Sequence, residues 1–261
     1  MNCAQNNDFL SVIMPALNEE SNISQAIQDT FEAIDFFKIK AEIIVVNDGS
    51  IDRTQGIVEE KIKEYPDRLK VIRHDNPQGI GASFWDGVGH AAGNVVVLIP
   101  GDNEVISSEV LRYYNLLEHV DMVVPFVFNK GVRSFFRRLL SSAFLFIIND
   151  TFNVNFNYTN GTVIYRKSIL KEIPYHCGGF FYQTDILVRL VKKRYLYAQV
   201  PYKLRIRAGG RAKAVTLSSL CKVIKGYLRL VKDVYFNKVM SAQNAEFPED
   251  SLTAKRSRGP V

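Results

Sequence analysis

The chain has 261 residues, 47% of them apolar, enough to bury a sizeable core, and its three cysteines lack the CxxC spacing of a zinc site and the even count of a disulfide framework. Its 33 Lys and Arg outnumber 27 Asp and Glu, with the excess in Lys130 to Arg138 and Lys192 to Lys232, a balance that favours an acidic partner such as nucleic acid, anionic lipid or phosphate. The opening MNCAQNNDF lacks the basic and apolar regions of a signal peptide, and no run approaches the roughly 20 apolar residues of a spanning helix, so a cytoplasmic protein is expected.

In chain order, LSVIMPAL reads as a strand, and NEESNISQAIQDTFEAIDFF as a helix with Ile23, Ala26, Ile27, Phe31 and Ile34 near helical period. AEIIVVNDGS repeats the design, followed by a helix capped near Ser50 or Asp52. LKVIRHD, GIGASFWDGVGHAAG and NVVVLIP continue as strand, helix, strand. Continuously apolar strands alternating with helices imply an α/β fold with a mostly parallel sheet covered on both faces. DMVVPFVF is a further strand, VRSFFRRLLSSAFLFIIN an apolar helix, NGTVIYRKSIL a strand and turn, YQTDILVRLVKKRY a helix and YAQVPYKLRIR a strand. VTLSSLCKVIKGYLRLVKDVYFNKV carries the amphipathic period of a terminal helix. Residues 1–8 form a polar N-terminal segment, 9–240 a single domain divided into halves at 9–128 and 129–240, and 241–261 lack a core pattern and are expected to be disordered.

Ligands of such sheets lie beyond the carboxyl ends of the strands. This places PALNEE, NDGS, NPQGIGA and GDNE on one rim. Asp102 and Glu104 can face the same side of an extended segment, a spacing that suits Mg2+ or Mn2+ shared with substrate phosphates, although loop acids are commonly solvated turn formers. Asp48, at a strand end, can accept from a base edge, while Ser50, Asp52 and Thr54 read as turn chemistry. Gly79 and Gly81 follow the third strand rather than the first, so they mark a donor-side loop and not a dinucleotide fingerprint. The four histidines are scattered without metal spacing, and packing or surface roles are expected for them.

SVIMPALNEESNI, IIVVNDGSIDRT and VVVLIPGDNE, in this order and spacing, resemble the nucleotide-binding half of family two inverting glycosyltransferases of GT-A fold. The resemblance implies a UDP- or GDP-sugar donor held by Pro15, Leu17, Glu19, Val46, Asp48, Gly101 and Asp102. Asp102 matches the last acid of the family's DxD motif, Pro100 stands where the first acid falls, and Glu104 stands where relatives resembling dolichyl-phosphate mannose synthase carry a ligating Gln. A metal, Mg2+ or Mn2+, is implied at Asp102 and Glu104. The second half resembles polyprenyl-phosphate glycosyltransferases more loosely, with Asp185, Arg207 and Lys213 at their acid and Arg-x5-Lys positions, Arg133 and Arg137 in their basic acceptor loop, and Asn157 and Asn160 replacing an Asp and a Ser.

The implied reaction is inverting transfer of a sugar to a polyprenyl phosphate, with Arg207 and Lys213 stabilising the leaving diphosphate and Asp185 orienting the sugar or acceptor. A saccharide hydroxyl acceptor, with Asp185 as general base, and a non-catalytic nucleotide-sugar-binding relative are the alternatives. Basic residues beside the apolar helix suit peripheral contact with an anionic membrane. Nucleic acid is not an expected partner, because aromatic residues are not interleaved with the basic ones.

Overall fold

The computed structural model describes residues 8–129, 131, 135–174, 177–205, 217–237 and 247–258. Its first half is the expected alternation: β1 (Leu10–Ala16), α1 (Ile23–Phe36), β2 (Ala41–Asn47), α2 (Thr54–Glu64), β3 (Leu69–Arg73), α3 (Ile80–His90) and β4 (Val95–Leu98). After the short α4 (Ser107–Leu111) come β5 (Met122–Val127), α5 (Phe135–Phe152), β6 (Ile164–Arg166), α6 (Lys167–Leu170), α7 (Tyr182–Lys192), β7 (Tyr197–Tyr202), α8 (Leu217–Tyr235) and α9 (Leu252–Ser257).

The strands form one seven-stranded sheet in the order β3-β2-β1-β4-β6-β5-β7. All pairings are parallel except those of β6, which runs antiparallel to β4 and β5. The sheet is therefore mixed and mostly parallel. Side-chain alternation explains why its strands are apolar throughout. Val12, Met14, Ile43, Val45, Val95 and Val97 face the layer of α1, α2 and α4, whereas Ile13, Ile44, Val46, Val96 and Leu98 face the layer of α3, α5, α7 and α8. From β1 the chain winds outward to β3, then returns to add β4 on the other side of β1. That reversal opens a crevice at the carboxyl ends of β1 and β4.

Residues 241–261 correct the sequence reading, because the described part of this stretch is folded. Ser251 caps α9 by accepting from the Ala254 amide at 3.0 Å. Fully buried Asp121, at the start of β5, accepts from the amides of Leu252 (2.6 Å) and Thr253 (3.2 Å), from the Thr253 hydroxyl and from the Leu196 amide. Phe247 packs edge-on against Tyr195. A handful of contacts to one buried carboxylate holds a polar segment that has no hydrophobic period of its own.

Candidate active site

Pairing continues past the formal end of β4: the Ile99 amide donates to the Ile13 carbonyl at 2.9 Å and the Gly101 amide to the Pro15 carbonyl at 3.0 Å. The GDNE segment thus emerges beside the end of β1. It is a turn, not the extended segment expected, with Asn103 in the left-handed region at φ 56°. Asp102 Oδ1 accepts from the Glu104 amide at 3.1 Å, so one oxygen of the carboxylate shapes the turn. Both acids are half-buried.

Arg205, which the sequence reading passed over, fixes this turn from the far side of the rim. Its amide donates to the Glu104 carbonyl at 2.9 Å and its guanidinium to Asn103 Oδ1 at 2.8 Å, while Asp29 of α1 pairs with it at 2.6 Å. A bridge between Val105 and Leu204 extends the contact. A long cationic side chain just beyond a strand end was the available signal.

The loops after β1 and β2 are laced together. The amides of Asn18, Glu19 and Glu20 donate to Ser50 Oγ (2.9 Å), Thr54 Oγ1 (2.8 Å) and Asp52 Oδ2 (3.1 Å). Asp52 Oδ1 also accepts from the Thr54 hydroxyl at 2.5 Å and the Thr54 amide at 3.0 Å; burial pushes the Asp52 carboxyl up, but these contacts outweigh it and hold the group below the usual aspartate range. The N-cap of α2 is Arg53, beyond the expected Ser50 or Asp52, yet the bond to the helix comes from Asp52. Turn chemistry was the expected work of Ser50, Asp52 and Thr54, and the loop-to-loop bonds add a reason for it.

Asp48 is 5% exposed and holds the neighbouring loop: Oδ1 accepts from the Gln78 amide at 2.7 Å and Oδ2 from the Gly79 amide at 2.9 Å. His74, also buried, bridges Asp48 at 2.8 Å and Asp86 at 3.0 Å. The expected packing role of a histidine is here a polar one, invisible without the fold because Asp48 and His74 lie on different strand ends. Gly49 makes the turn possible with φ 76°. Gly81 answers a different demand, since a Cβ there would lie 2.2 Å from the Cys177 carbonyl oxygen. The Gly178 carbonyl accepts from the Gly81 and Ala82 amides, so this protein backbone occupies the N-terminus of α3.

Of the remaining expected donor residues, Pro15, Leu17 and Glu19 are half-buried at the rim, and Glu19 accepts from Asn22 at 2.9 Å. Val46 is fully buried in the layer against α3, where it supports the rim from beneath. Asn157 anchors to Gln199 through its amide (2.7 Å) and side chain (3.1 Å), and Asn160 accepts from Thr184 at 3.5 Å. Arg133, Arg207 and Lys213 lie outside the described residues, as does the side chain of Arg137.

Asp185 occupies the first turn of α7, where it is 3% exposed and pairs with Arg189 at 2.9 Å. Arg189, 1% exposed, reaches Asp233 of α8 at 2.6 Å. Burial pushes the Asp185 carboxyl up, and Arg189 offsets only part of that rise. Burial acts on Asp233 in the same direction, but the Arg189 hydrogen bond and charge outweigh it and hold that carboxyl down.

Among the described residues, no group of three or more His, Cys, Asp or Glu is placed to hold a metal. Two carboxylates on one turn, with coordination positions left for water and a diphosphate, match what Mg2+ takes in phosphate sites.

The doubly wound half-sheet, the crevice beside β1 and β4, and the acidic turn on its rim define a GT-A-type fold. Residues 11–182 match the family described as glycosyl transferase family 2. The chain belongs to that family. It is 26% identical over 206 residues to an undecaprenyl-phosphate 4-deoxy-4-formamido-L-arabinose transferase of Edwardsiella ictaluri, covering 78% of this chain and 62% of that protein. It is 26% identical over 216 residues to a dolichol-phosphate mannosyltransferase of Pyrococcus furiosus, covering 78% of this chain and 58% of that protein. The matches therefore span about three-fifths of these relatives' length. In structure the chain is similar to glucosyl-3-phosphoglycerate synthase of Mycobacterium tuberculosis in complex with Mn2+, UDP-glucose and phosphoglyceric acid. The TM-score is 0.65 at 19% identity, covering 86% of this chain and 80% of that one. At that identity the likeness concerns the fold.

Proposed function

We propose that this chain transfers a sugar from a UDP- or GDP-sugar to a polyprenyl phosphate with inversion at the anomeric carbon. The observation that carries the reading is the acidic turn at the β1/β4 crevice, sharing its rim with the loops laced around Asp48. The two relatives, an undecaprenyl-phosphate arabinose-type transferase and a dolichol-phosphate mannosyltransferase, support the acceptor class.

An acceptor phosphate oxygen attacks the anomeric carbon as the bond to the nucleoside diphosphate breaks, and the electron pair leaves with the diphosphate. Because the phosphate is already anionic, this route requires no general base, and Asp185 serves to orient. Asp48 has acceptor capacity beyond its loop bonds for a base-edge N–H, while Pro15, Leu17 and Glu19 flank the nucleoside and Gly101, where a Cβ would meet Ile23 at 2.6 Å, keeps the turn that carries Asp102 close against β1. Arg207 and Lys213 stabilise the leaving group, and Arg133 and Arg137 grip the acceptor phosphate, on the strength of sequence position. Asp102 and Glu104 would hold Mg2+ or Mn2+, which neutralises charge developing on the diphosphate.

The raised Asp185 carboxyl favours a second reading, in which it is the general base for a saccharide hydroxyl. Its pairing with Arg189 weighs against a free base. The donor half is tested by thermal shift with UDP and GDP, each with and without Mn2+. One nucleotide should raise the melting temperature in a metal-dependent way, as mass action requires of a ligand specific for the folded state. Indifference to both at concentrations far above a plausible Kd counts against the assignment and favours a non-catalytic relative.

A further inference from the structure

α8 displays three unlike faces. Val223, Tyr227, Leu230 and Val234 turn into the core, whereas Leu220, Ile224, Leu228 and Tyr235 are exposed. At about 100° per residue, Leu220, Ile224 and Leu228 fall within an arc of about 80°, and Lys222, Lys225, Arg229 and Lys232 occupy a neighbouring arc of about 80°. All four basic residues are exposed as well. The helix has a single acid, Asp233, already engaged by Arg189.

α5 lies against α8 through Thr151 and Tyr227, whose hydroxyls are 2.8 Å apart, and through the rings of Phe152, Tyr227 and Tyr235. It too turns apolar side chains outward: Leu139, Leu140, Phe146 and Ile147 are exposed, all within about 120° of arc. Among the described residues, most exposed large apolar side chains sit on these two helices or, as Phe236, directly after α8. Such clustering marks an interaction surface rather than the scattered exposure normal for a soluble face.

We infer that the outward faces of α5 and α8 form a docking surface for an anionic phospholipid bilayer. An apolar row beside a basic row is the pattern of a helix lying in the headgroup region, with its apolar side chains in the acyl boundary and its lysines among lipid phosphates. No helix in the described residues is long and apolar enough to cross a membrane, and the paired apolar and basic rows are those of helices that lie on its surface. Charge selects lipid over a second copy, because two such faces would bring like-charged lysine rows together. The inference deepens the lipid-phosphate reading of the acceptor by naming how the enzyme meets the bilayer that carries it. The faces themselves are independent of the transfer chemistry.

The test is co-sedimentation of the full chain with phosphatidylcholine vesicles, with and without phosphatidylglycerol, at low and high salt. Ile224→Glu with Leu228→Glu removes the apolar row, and Lys225→Glu with Lys232→Glu reverses the basic one, all at exposed positions. Wild type should bind the anionic vesicles, less so at high salt, and each double variant should bind at least about tenfold more weakly with an unchanged melting temperature. Equal binding by wild type and variants, or no vesicle binding by a protein that still binds its nucleotide, would overturn the inference. So would a dimer in sedimentation velocity that the apolar variant dissolves while lipid binding stays absent. Vesicle binding without sugar transfer would instead count against the proposed reaction and leave the surface standing.

Discussion

Replacing Arg189 by methionine is expected to cost about 3–5 kcal/mol of stability, because it strips the partner from two carboxylates, one of them 3% exposed. Methionine keeps much of the volume, so the loss reports uncompensated charge rather than a cavity. In urea the midpoint should fall by on the order of 1–2 M. The sign of the pH dependence follows from Asp185, whose folded-state carboxyl is raised already and rises further without Arg189. A group that binds its proton more tightly in the folded state favours folding at low pH and loses that contribution as pH rises through the folded value. The deficit of the variant should therefore shrink as pH falls through the raised Asp185 value towards the ordinary aspartate range, and Asp185→Asn in the same background should recover part of it at neutral pH. A midpoint unchanged from wild type at neutral pH would show that the pair contributes nothing to holding α7 against α8.

Asp102→Asn is expected to lower kcat/KM by roughly 10²- to 10³-fold, the scale of removing one group that stabilises charge in a transition state. Asparagine retains an oxygen that can accept from the Glu104 amide, so the turn should survive and stability should shift by no more than about 0.5 kcal/mol. The metal-dependent part of nucleotide binding should disappear along with activity. Undiminished turnover with wild-type metal dependence would remove Asp102 from the site and pass its role elsewhere on the rim.

The first half of the fold was legible because each strand announces itself as a short β-branched run and each helix by its period, as in Ile43 to Val46 against Ile23 to Ile34. The shared rim that carries GDNE and NDGS follows from that alternation, whereas the reversal beside β1 does not, because alternation alone fixes no strand order. Local signals fail where a contact joins distant chain positions. Asp121 meets Thr253 across 132 residues and Arg205 meets Asn103 across 102, and neither pairing has a period or spacing to betray it. The α9 cap was readable in part, since a serine precedes LTAKRS, but six residues without an apolar face do not predict where they dock. Asp185 stood out as an acid on a helix, yet its burial beside Arg189 depends on α8 closing over α7. The turn at Asn103 was hidden for a simpler reason: paired acids two residues apart look alike in an extended strand and in a left-handed turn.

The most direct measurement of the central claim is transfer of labelled sugar from UDP- and GDP-sugars to undecaprenyl or dolichyl phosphate in detergent or vesicles, scored by label in the organic phase. The account predicts metal-dependent formation of a polyprenyl phosphosugar with one donor class, and its loss in Asp102→Asn. Label that stays in the aqueous phase with every lipid phosphate, while a saccharide acceptor is glycosylated in a manner abolished by Asp185→Asn, would contradict it.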